Sequence, residues 1–533
     1  MDETQRQNLA RKTLIAAAVI LFIVLPVWLG LEHRNGPVRQ TPQEGAEDGD
    51  VPHTGLYILE GPEIRKTGEK FVIEWTTSRP ADSVVRFGKA DSFGNLLTKG
   101  EAFVKKHRVE LPDIPYVWLY SFWIVSQDRH RHEVSTTFGP DNWSEGAALA
   151  DVSGEYPLLC RPASAAFWAD FDGDLDMDVL LVDTPDRHRQ ARLLCREDTG
   201  YRDCTNRLRL RSGAGRIKKV DWADFDRDGY PDLLACCQGL VVCQNYGPPA
   251  YRLGRATTLI EVGQESPVVA SVFVQADRDQ LVDVVALQAD GSFRVYRNVG
   301  PPFPQFERAR DLEPETLTLT ASGDTFRSMA TADFNGDGRE DLILLPQGQI
   351  LHGSDQGYSL VDQALGILPE HSIAAVACED FDSDYDSDVF AILSTEKGGF
   401  AGFRLFRNEG EGFLDVTESS GDLNAVQTEV SCATWADLTG DGNPDLILGT
   451  QDGEIKVLLS DGNGSFTEAT EAFGVELDRD EPVQHVSSID IAGTDRVDIF
   501  VTFSAGGGVV LRNRFAEWAP RRFLNQDVNP TQN

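Results

Sequence analysis

Several carboxylate-rich segments in this chain place side-chain oxygens at alternate residues, the spacing a hard divalent cation needs. In the run from Asp224 to Asp232, carboxylates stand at loop positions 1, 3, 5 and 9 (Asp224, Asp226, Asp228 and Asp232). The position-7 carbonyl of Tyr230 is a further oxygen, and Gly229 admits the tight turn. Calcium takes about six to eight oxygen ligands at roughly 2.3–2.6 Å, and a wound loop offers them from alternate residues. A second segment has Asp333, Asn335, Asp337 and Asp341. Two others have an acid at position 7 and a bulky residue where the glycine would be. These are Asp170, Asp172, Asp174, Asp176 and Asp178 around Leu175, and Asp380, Asp382, Asp384, Asp386 and Asp388 around Tyr385. A fifth has Asp437, Thr439, Asp441 and Asp445. No helices flank the loops and no glutamate follows at position 12, so these are not EF-hands. The plain alternative is that Asp-Gly-rich turns merely link strands. Four carboxylates within nine residues repel one another unless a cation neutralises them, and the repetition of the cluster favours calcium, at four or five sites.

The elements that must position these loops recur with them. Each loop follows a short apolar strand and precedes a second one, in seven copies whose first loop positions are Asp170, Asp224, Gln275, Asp333, Asp380, Asp437 and Asp490. The third copy, with Gln275, and the seventh, with Ala492 and Thr494, are degenerate as cation loops. The successive spacings are 54, 51, 58, 47, 57 and 53 residues. That period is too long for a solenoid coil and suits a four-stranded propeller blade. Two residues before the loop stand Trp168, Trp222, Phe273, Thr331, Cys378, Trp435 and Ser488, whereas the next position is mostly small, as stacked sheets require.

On these residues the repeats resemble the FG-GAP and related VCBS repeats of integrin α-subunit propellers and bacterial surface proteins. The resemblance implies a seven-bladed β-propeller over residues 150–515, with cations on one rim and partners bound through loops of the opposite face. The Phe-Gly and Gly-Ala-Pro signatures of the integrin type are largely missing. Upstream, residues 54–140 form short strands at Phe71–Trp75, Ser83–Phe87, His107–Leu111 and Trp118–Val125. Val109 and Leu111 alternate with Arg108 and Glu110, the pattern of a strand buried on one face. This stretch resembles a fibronectin type III domain, especially the sandwich preceding the catalytic domain of purple acid phosphatases, with Trp75 and Tyr120 as core aromatics. The phosphatase metal motifs do not follow it. His130 and His132 share a strand face but have no third ligand.

Thr13 to Leu31 carries no charge, and 19 residues at about 1.5 Å rise span roughly 28 Å, close to the thickness of a bilayer's hydrocarbon core. It is read as an uncleaved anchor, with residues 1–12 a cytoplasmic tail, 32–53 a flexible linker and 516–533 a C-terminal tail. The fold class is thus all-β: a propeller and a sandwich behind one transmembrane helix, the bulk extracytoplasmic, in the periplasm or at the cell surface. Asp and Glu number 85 against 49 Lys and Arg, a net charge of −36, which argues against nucleic acid and anionic lipid surfaces as partners. Neither GxSxG nor HExxH occurs, and His188, His352, His371 and His485 are scattered through the repeats. The chain is therefore read as a protein- or glycan-binding adhesion module and not an enzyme, the alternatives being an envelope assembly scaffold or a propeller enzyme acting on polysaccharide. Cys195 with Cys204, and Cys237 with Cys243, are close enough in sequence for hairpin disulfides, and Cys378 and Cys432 read as free thiols within strands.

Overall fold

The computed structural model describes residues 56–515 apart from short internal stretches. The anchor at 13–31, the linker at 32–53, the tail at 516–533, Trp118, His130 and His132 lie outside the described residues. Among the described residues, no helix is long and apolar enough to cross a membrane.

Two antiparallel sheets come first. One orders Ile58–Thr67, Lys70–Ala81 and Val104–Glu110; the other orders Leu96–Lys99, Val84–Gly88, Ser121–Gln127 and Glu133–Phe138. Their facing sides bury Ile64, Ile73, Trp75, Val85, Phe87, Val109, Leu111, Phe122 and Ile124. Trp75 stacks on His107 at 4.7 Å and donates its indole N–H to Ser126 Oγ at 3.0 Å, so it is core with its one polar atom satisfied. Tyr120 packs at the edge of this core, against Phe87. The strand expected from Trp118 begins at Ser121.

After residue 148, the described residues form seven four-stranded sheets. The first consists of Ala165–Ala169, Asp178–Val182, Ala191–Glu197 and Gly200–Asp203, paired in sequence order. The remaining first strands are Lys219–Ala223, Val268–Val274, Ser328–Ala332, His371–Glu379, Val430–Ala436 and Val483–Ile489. Each touches the next, and the last touches Ala165–Ala169, so the sheets close on themselves. The seventh sheet takes its outer strand, Leu149–Asp151, from the N-terminal side of the ring, pairing Leu511 with Asp151 and Asn513 with Leu149. That splice ties the two ends of the repeat region together and leaves no first or last sheet free to peel away.

The second strands read DVLLV, DLLAC, DVVALQ, DLILL, DVFAILST, DLILGT and DIFVTF, and nearly every residue is buried because sheets cover both faces. Where the position two before the loop is aromatic, it packs on the preceding sheet. Trp222 meets Phe171 at 6.2 Å, Phe273 meets Phe225 at 6.3 Å, Trp435 meets Phe381 at 6.2 Å, and Trp168 closes the circle on Phe500 at 5.6 Å.

Candidate cation-binding loops

Each acidic segment connects the first strand of a sheet to the second, and its position-9 aspartate is the first residue of the second strand. In all seven sheets this aspartate is 0–1% exposed and clasps backbone with both oxygens. Its Oδ2 accepts the N–H of loop position 2 at 2.9–3.2 Å, from Phe171, Phe225, Ala276, Phe334, Phe381, Leu438 and Ile491. Its Oδ1 accepts an N–H at 2.6–3.0 Å from the third strand (Arg196, Asn298, Gly353, Asn408, Ser460 and Asn513) or, in the second sheet, from Asn245 just past that strand's end. Burial pushes the carboxyls of Asp178, Asp232 and Asp388 up to about 8 and that of Asp283 up to about 7, against the pull of these N–H donors. Position 9, read from sequence only as a ligand, is therefore a structural clasp even in the degenerate third and seventh repeats.

The third strand adds a staple that the acidic pattern does not reveal. The side-chain amides of Asn245, Asn298, Asn408 and Asn513 donate at 2.7–2.9 Å to the position-2 carbonyls of the preceding loops, Phe171, Phe225, Phe334 and Leu438. Their Oδ1 atoms accept the N–H two residues on, at 2.9–3.2 Å. A sequence signal exists: Asn245-Tyr246-Gly247, Asn298-Val299-Gly300 and Asn408-Glu409-Gly410 are a recurring N-x-G downstream of the second, third and fifth loops.

Positions 1, 3 and 5 form the polar interior of the loops. The position-1 carboxylate collects N–H groups from the turn: Asp170 from Gly173, Asp174 and Leu175 at 2.7–3.1 Å, Asp224 from Asp228 and Gly229, Asp333 from Asp337 and Gly338, Asp380 from Asp384 and Tyr385, and Asp437 from Gly440, Asp441 and Gly442. This winding puts position 6 in the left-handed region whatever its side chain, with φ of 89° at Gly229, 72° at Leu175 and 76° at Tyr385. Leu175 and Tyr385 thus keep the loop conformation despite lacking glycine, and their side chains are 92% and 90% exposed. Tyr230 locks the second loop to the first: a Cβ on Gly173 would lie 2.6 Å from its ring.

Three loops bring three carboxylates together, with ligand atoms within 4.8 Å of one another: Asp170, Asp172 and Asp174; Asp224, Asp226 and Asp232; Asp380, Asp382 and Asp388. Asn335 and Thr439 replace the position-3 carboxylate in the fourth and sixth loops, and the Thr439 hydroxyl turns to Asp437 at 3.4 Å. Burial first, then neighbouring carboxylates, raises Asp174, Asp228 and Asp382 above the usual range, and takes Asp386 to about 6. Asp172 Oδ1, Asp382 Oδ1 and Asp386 Oδ1 are buried with no hydrogen-bond partner. Orphaned carboxylate oxygens beside other carboxylates fit a cation that takes oxygen ligands, which these side chains could hold.

One residue on the third strand, or just past its end in the second sheet, faces position 3 and is also unmarked in the acidic pattern. In the second sheet it is Gln244, whose Nε2 donates to Asp226 Oδ2. In the third it is Arg297, whose Nε donates to Asp277 Oδ2 at 2.6 Å while Nη2 reaches Asp311 at 3.0 Å. In the fifth, Arg407 lies 3.9 Å from Asp382. In the first it is Cys195, grouped with Asp172 and Asp178, and the cation there is Arg207, 3.0 Å from Asp172 Oδ2. Beside the third and fourth loops, a cavity of about 870 Å³ is lined by Asp221, Phe273, Asp277, Thr331, Arg339 and Asp355.

The profile of the FG-GAP-like repeat family matches residues 276–344, 380–448 and 437–501. Each stretch runs from one loop to the second strand of the next sheet. The chain carries FG-GAP-like repeats and is a β-propeller. The first two loops lie outside the matched stretches, yet share the clasp and the winding of the others. No curated protein matches the chain. Among solved structures, the chain is similar to BBS1N in a crystal structure with ARL6DN (12% identity, 69% of this chain and 97% of that one, TM-score 0.36). It is also similar to the Dos1 propeller (9% identity, 86% and 94%, TM-score 0.37). A third likeness is to a chain of the Photorhabdus luminescens Tc holotoxin pore, with 11% identity, 86% of this chain, 27% of that chain and a TM-score of 0.31.

Proposed function

We propose that this protein is a membrane-anchored, extracytoplasmic, calcium-binding propeller that works as a protein- or glycan-binding module of the adhesion type, without enzymatic activity. In this reading the ring has seven blades, the anchor is Thr13 to Leu31, and the sandwich at 54–140 is a fibronectin III-like spacer. The pairing of a three-stranded with a four-stranded sheet around Trp75 supports the spacer reading. The observation that carries the calcium reading is the convergence of three carboxylates in the first, second and fifth loops, which in the first and fifth includes buried oxygens that no protein donor satisfies. Four or five Ca²⁺ ions, in those loops and in the fourth and sixth, offset the repulsion that the clusters would otherwise impose on the ring. The acidic cavity beside the third and fourth loops suits a basic group on a partner.

The test is metal analysis and calorimetric calcium titration of the detergent-solubilised full chain, followed by capture of cell-surface proteins and an arrayed glycan panel with and without calcium. Four or five Ca²⁺ per chain and calcium-dependent capture are expected. A chain that neither contains nor binds calcium, and melts identically in chelator, overturns the cation reading; turnover abolished by a substitution in the ring overturns the non-enzymatic one.

A further inference from the structure

The residue just before the stapling asparagine meets a different loop partner in each sheet. Arg297 donates to Asp277, and Arg407 lies 3.9 Å from Asp382. Arg512 holds the same register in the seventh sheet: it follows Leu511, which pairs with Ile499 as Tyr296 pairs with Val284 and Phe406 with Val389. Position 3 of its loop is Ala492 and position 5 is Thr494, so the carboxylates that answer this guanidinium elsewhere are missing. Arg512 turns instead to Glu155 and to the Tyr156 hydroxyl, each at 2.9 Å, and its Nε is buried with no acceptor. A cavity of about 590 Å³ opens here, where the seventh sheet meets the first. Arg196, Arg496, Arg512 and Arg514 line it, and among the described residues Glu155 is the single carboxylate of the lining. The guanidiniums of Arg196 and Arg512 flank one ring, at 5.5 and 6.0 Å from the centre of Tyr156, and Tyr201 braces Arg196 from 5.5 Å. Neither Arg196 nor Arg514 has a carboxylate partner among the described residues.

We propose that this cavity is an anion site that takes the sulfate or phosphate ester group of a sugar-sized ligand. In a chain of net charge −36, guanidiniums gathered around one carboxylate are unbalanced in the sense opposite to the acidic loops, and a bound anion neutralises them. Guanidinium forks present paired N–H donors that match the oxygens of phosphate and sulfate, and the Nε of Arg512 is a donor still waiting for one. The cations come from separate segments, Arg196 from the first sheet and Arg512 and Arg514 from the end of the seventh. A group that meets them together needs oxygens pointing in several directions, as a tetrahedral ester has and a planar carboxylate lacks. Thr494 at the cavity wall adds a neutral hydroxyl donor. The volume lies within the range of small-molecule sites and exceeds what a bare inorganic ion fills, which leaves room for the body of the ligand. Because the seventh loop offers no carboxylate at positions 3 and 5, the site depends neither on the calcium reading nor on the anchor.

The experiment is calorimetric titration of the detergent-solubilised full chain, in chelator and at constant ionic strength. The titrants are sodium sulfate, sodium phosphate, glucose 6-sulfate, glucose 6-phosphate, glucuronate and glucose. One anion per chain is expected, with at least one ester bound more tightly than its inorganic anion, and with glucose and glucuronate not bound. A preference for glucose 6-sulfate assigns a sulfated sugar as the source of the group, and a preference for glucose 6-phosphate a phosphorylated one; either supports the site. Arg514→Gln should weaken ester binding by about tenfold or more, and Arg196→Gln likewise. Arg514 is exposed, so its replacement should leave the melting temperature of the ligand-free chain unchanged while reducing the rise that the ester produces. Arg310→Gln, an equal loss of charge outside the cavity, should leave the affinity as it is. Absence of binding by every anion, or an affinity indifferent to both cavity substitutions, overturns the proposal. Binding of glucuronate in preference to the esters, or of the inorganic anions with both esters excluded, overturns it equally.

Discussion

The second and third loops are built on the same frame and diverge at one point of charge. In both, the position-9 aspartate, Asp232 or Asp283, clasps two backbone N–H groups, and the asparagine that follows, Asn245 or Asn298, reaches back to the previous loop. In the second, position 1 is Asp224 and the residue facing position 3 is the neutral Gln244; in the third, position 1 is Gln275 and the facing residue is Arg297. Burial raises the Asp277 carboxyl, but the Asp279 N–H and Arg297 outweigh it and hold the group below the usual range, whereas Asp226 is raised by burial and by Asp228. The third loop therefore lacks the position-1 carboxylate and sets a guanidinium of the chain against Asp277, which leaves less charge for a metal to neutralise. The comparison separates two features that the acidic motif mixes: the position-9 clasp, present in all seven sheets, and the cluster of carboxylates around it, which differs from loop to loop.

The largest effect should come from the shared clasp. Asp232→Ala and Asp283→Ala each strand two buried backbone N–H groups, at about 1–3 kcal/mol per group, so both should lower the unfolding free energy comparably, by several kcal/mol in denaturant melts. If Asp283→Ala is silent while Asp232→Ala is severe, position 9 is a ligand first and the separation fails. Next, Asp226→Asn should weaken one calcium site by an order of magnitude or more in calorimetric titration, about 1.4 kcal/mol for each tenfold, whereas Asp277→Asn should leave the number of calcium ions unchanged.

The pH dependence follows from the raised clasp carboxyls. Their folded values of about 7 to 8 stand above an unfolded value near 3.9, so their contribution to stability is fully present below about pH 4 and drains away as pH rises through 7 to 8. Hydrogen exchange in chelator should show the ring opening more readily at pH 8 than at pH 5, with calcium removing most of the difference near the second loop but not near the third. The sandwich should respond in the opposite sense. Burial lowers His107 to about 4, between Thr77 Oγ1 at 2.7 Å and Ser83 Oγ at 2.8 Å, so its contribution is present above about pH 6.5 and lost as pH falls toward 4. The smallest effect concerns position 6: Leu175→Gly relieves a left-handed leucine and should stabilise by under about 1 kcal/mol, while Gly229→Leu should destabilise by about 1–2 kcal/mol, a difference readable as opposite shifts in melting temperature.

Sequence by itself determined the all-β class and the number and phase of the acidic repeats. Alternation and period are local properties, imposed by a side chain's need to face core or solvent, and Val109 and Leu111 lie inward as their spacing dictates. Trp75 and the aromatics before the loops were legible for the same reason. What only the tertiary structure decided depends on residues far apart in the chain. The clasp of Asp283 survives in a loop that looks degenerate, because its partners are backbone groups that any sequence supplies. Arg297 meets Asp277 from 20 residues away, and Asn298 meets the Phe225 carbonyl from 73, distances at which no local pattern reports contact. Leu149–Asp151 completes the seventh sheet only because the ring brings it beside Gly508–Asn513. A β-sheet joins strands through the main chain, which is chemically alike at nearly every residue, so sequence marks where a strand lies, while the closure of the ring chooses its partner.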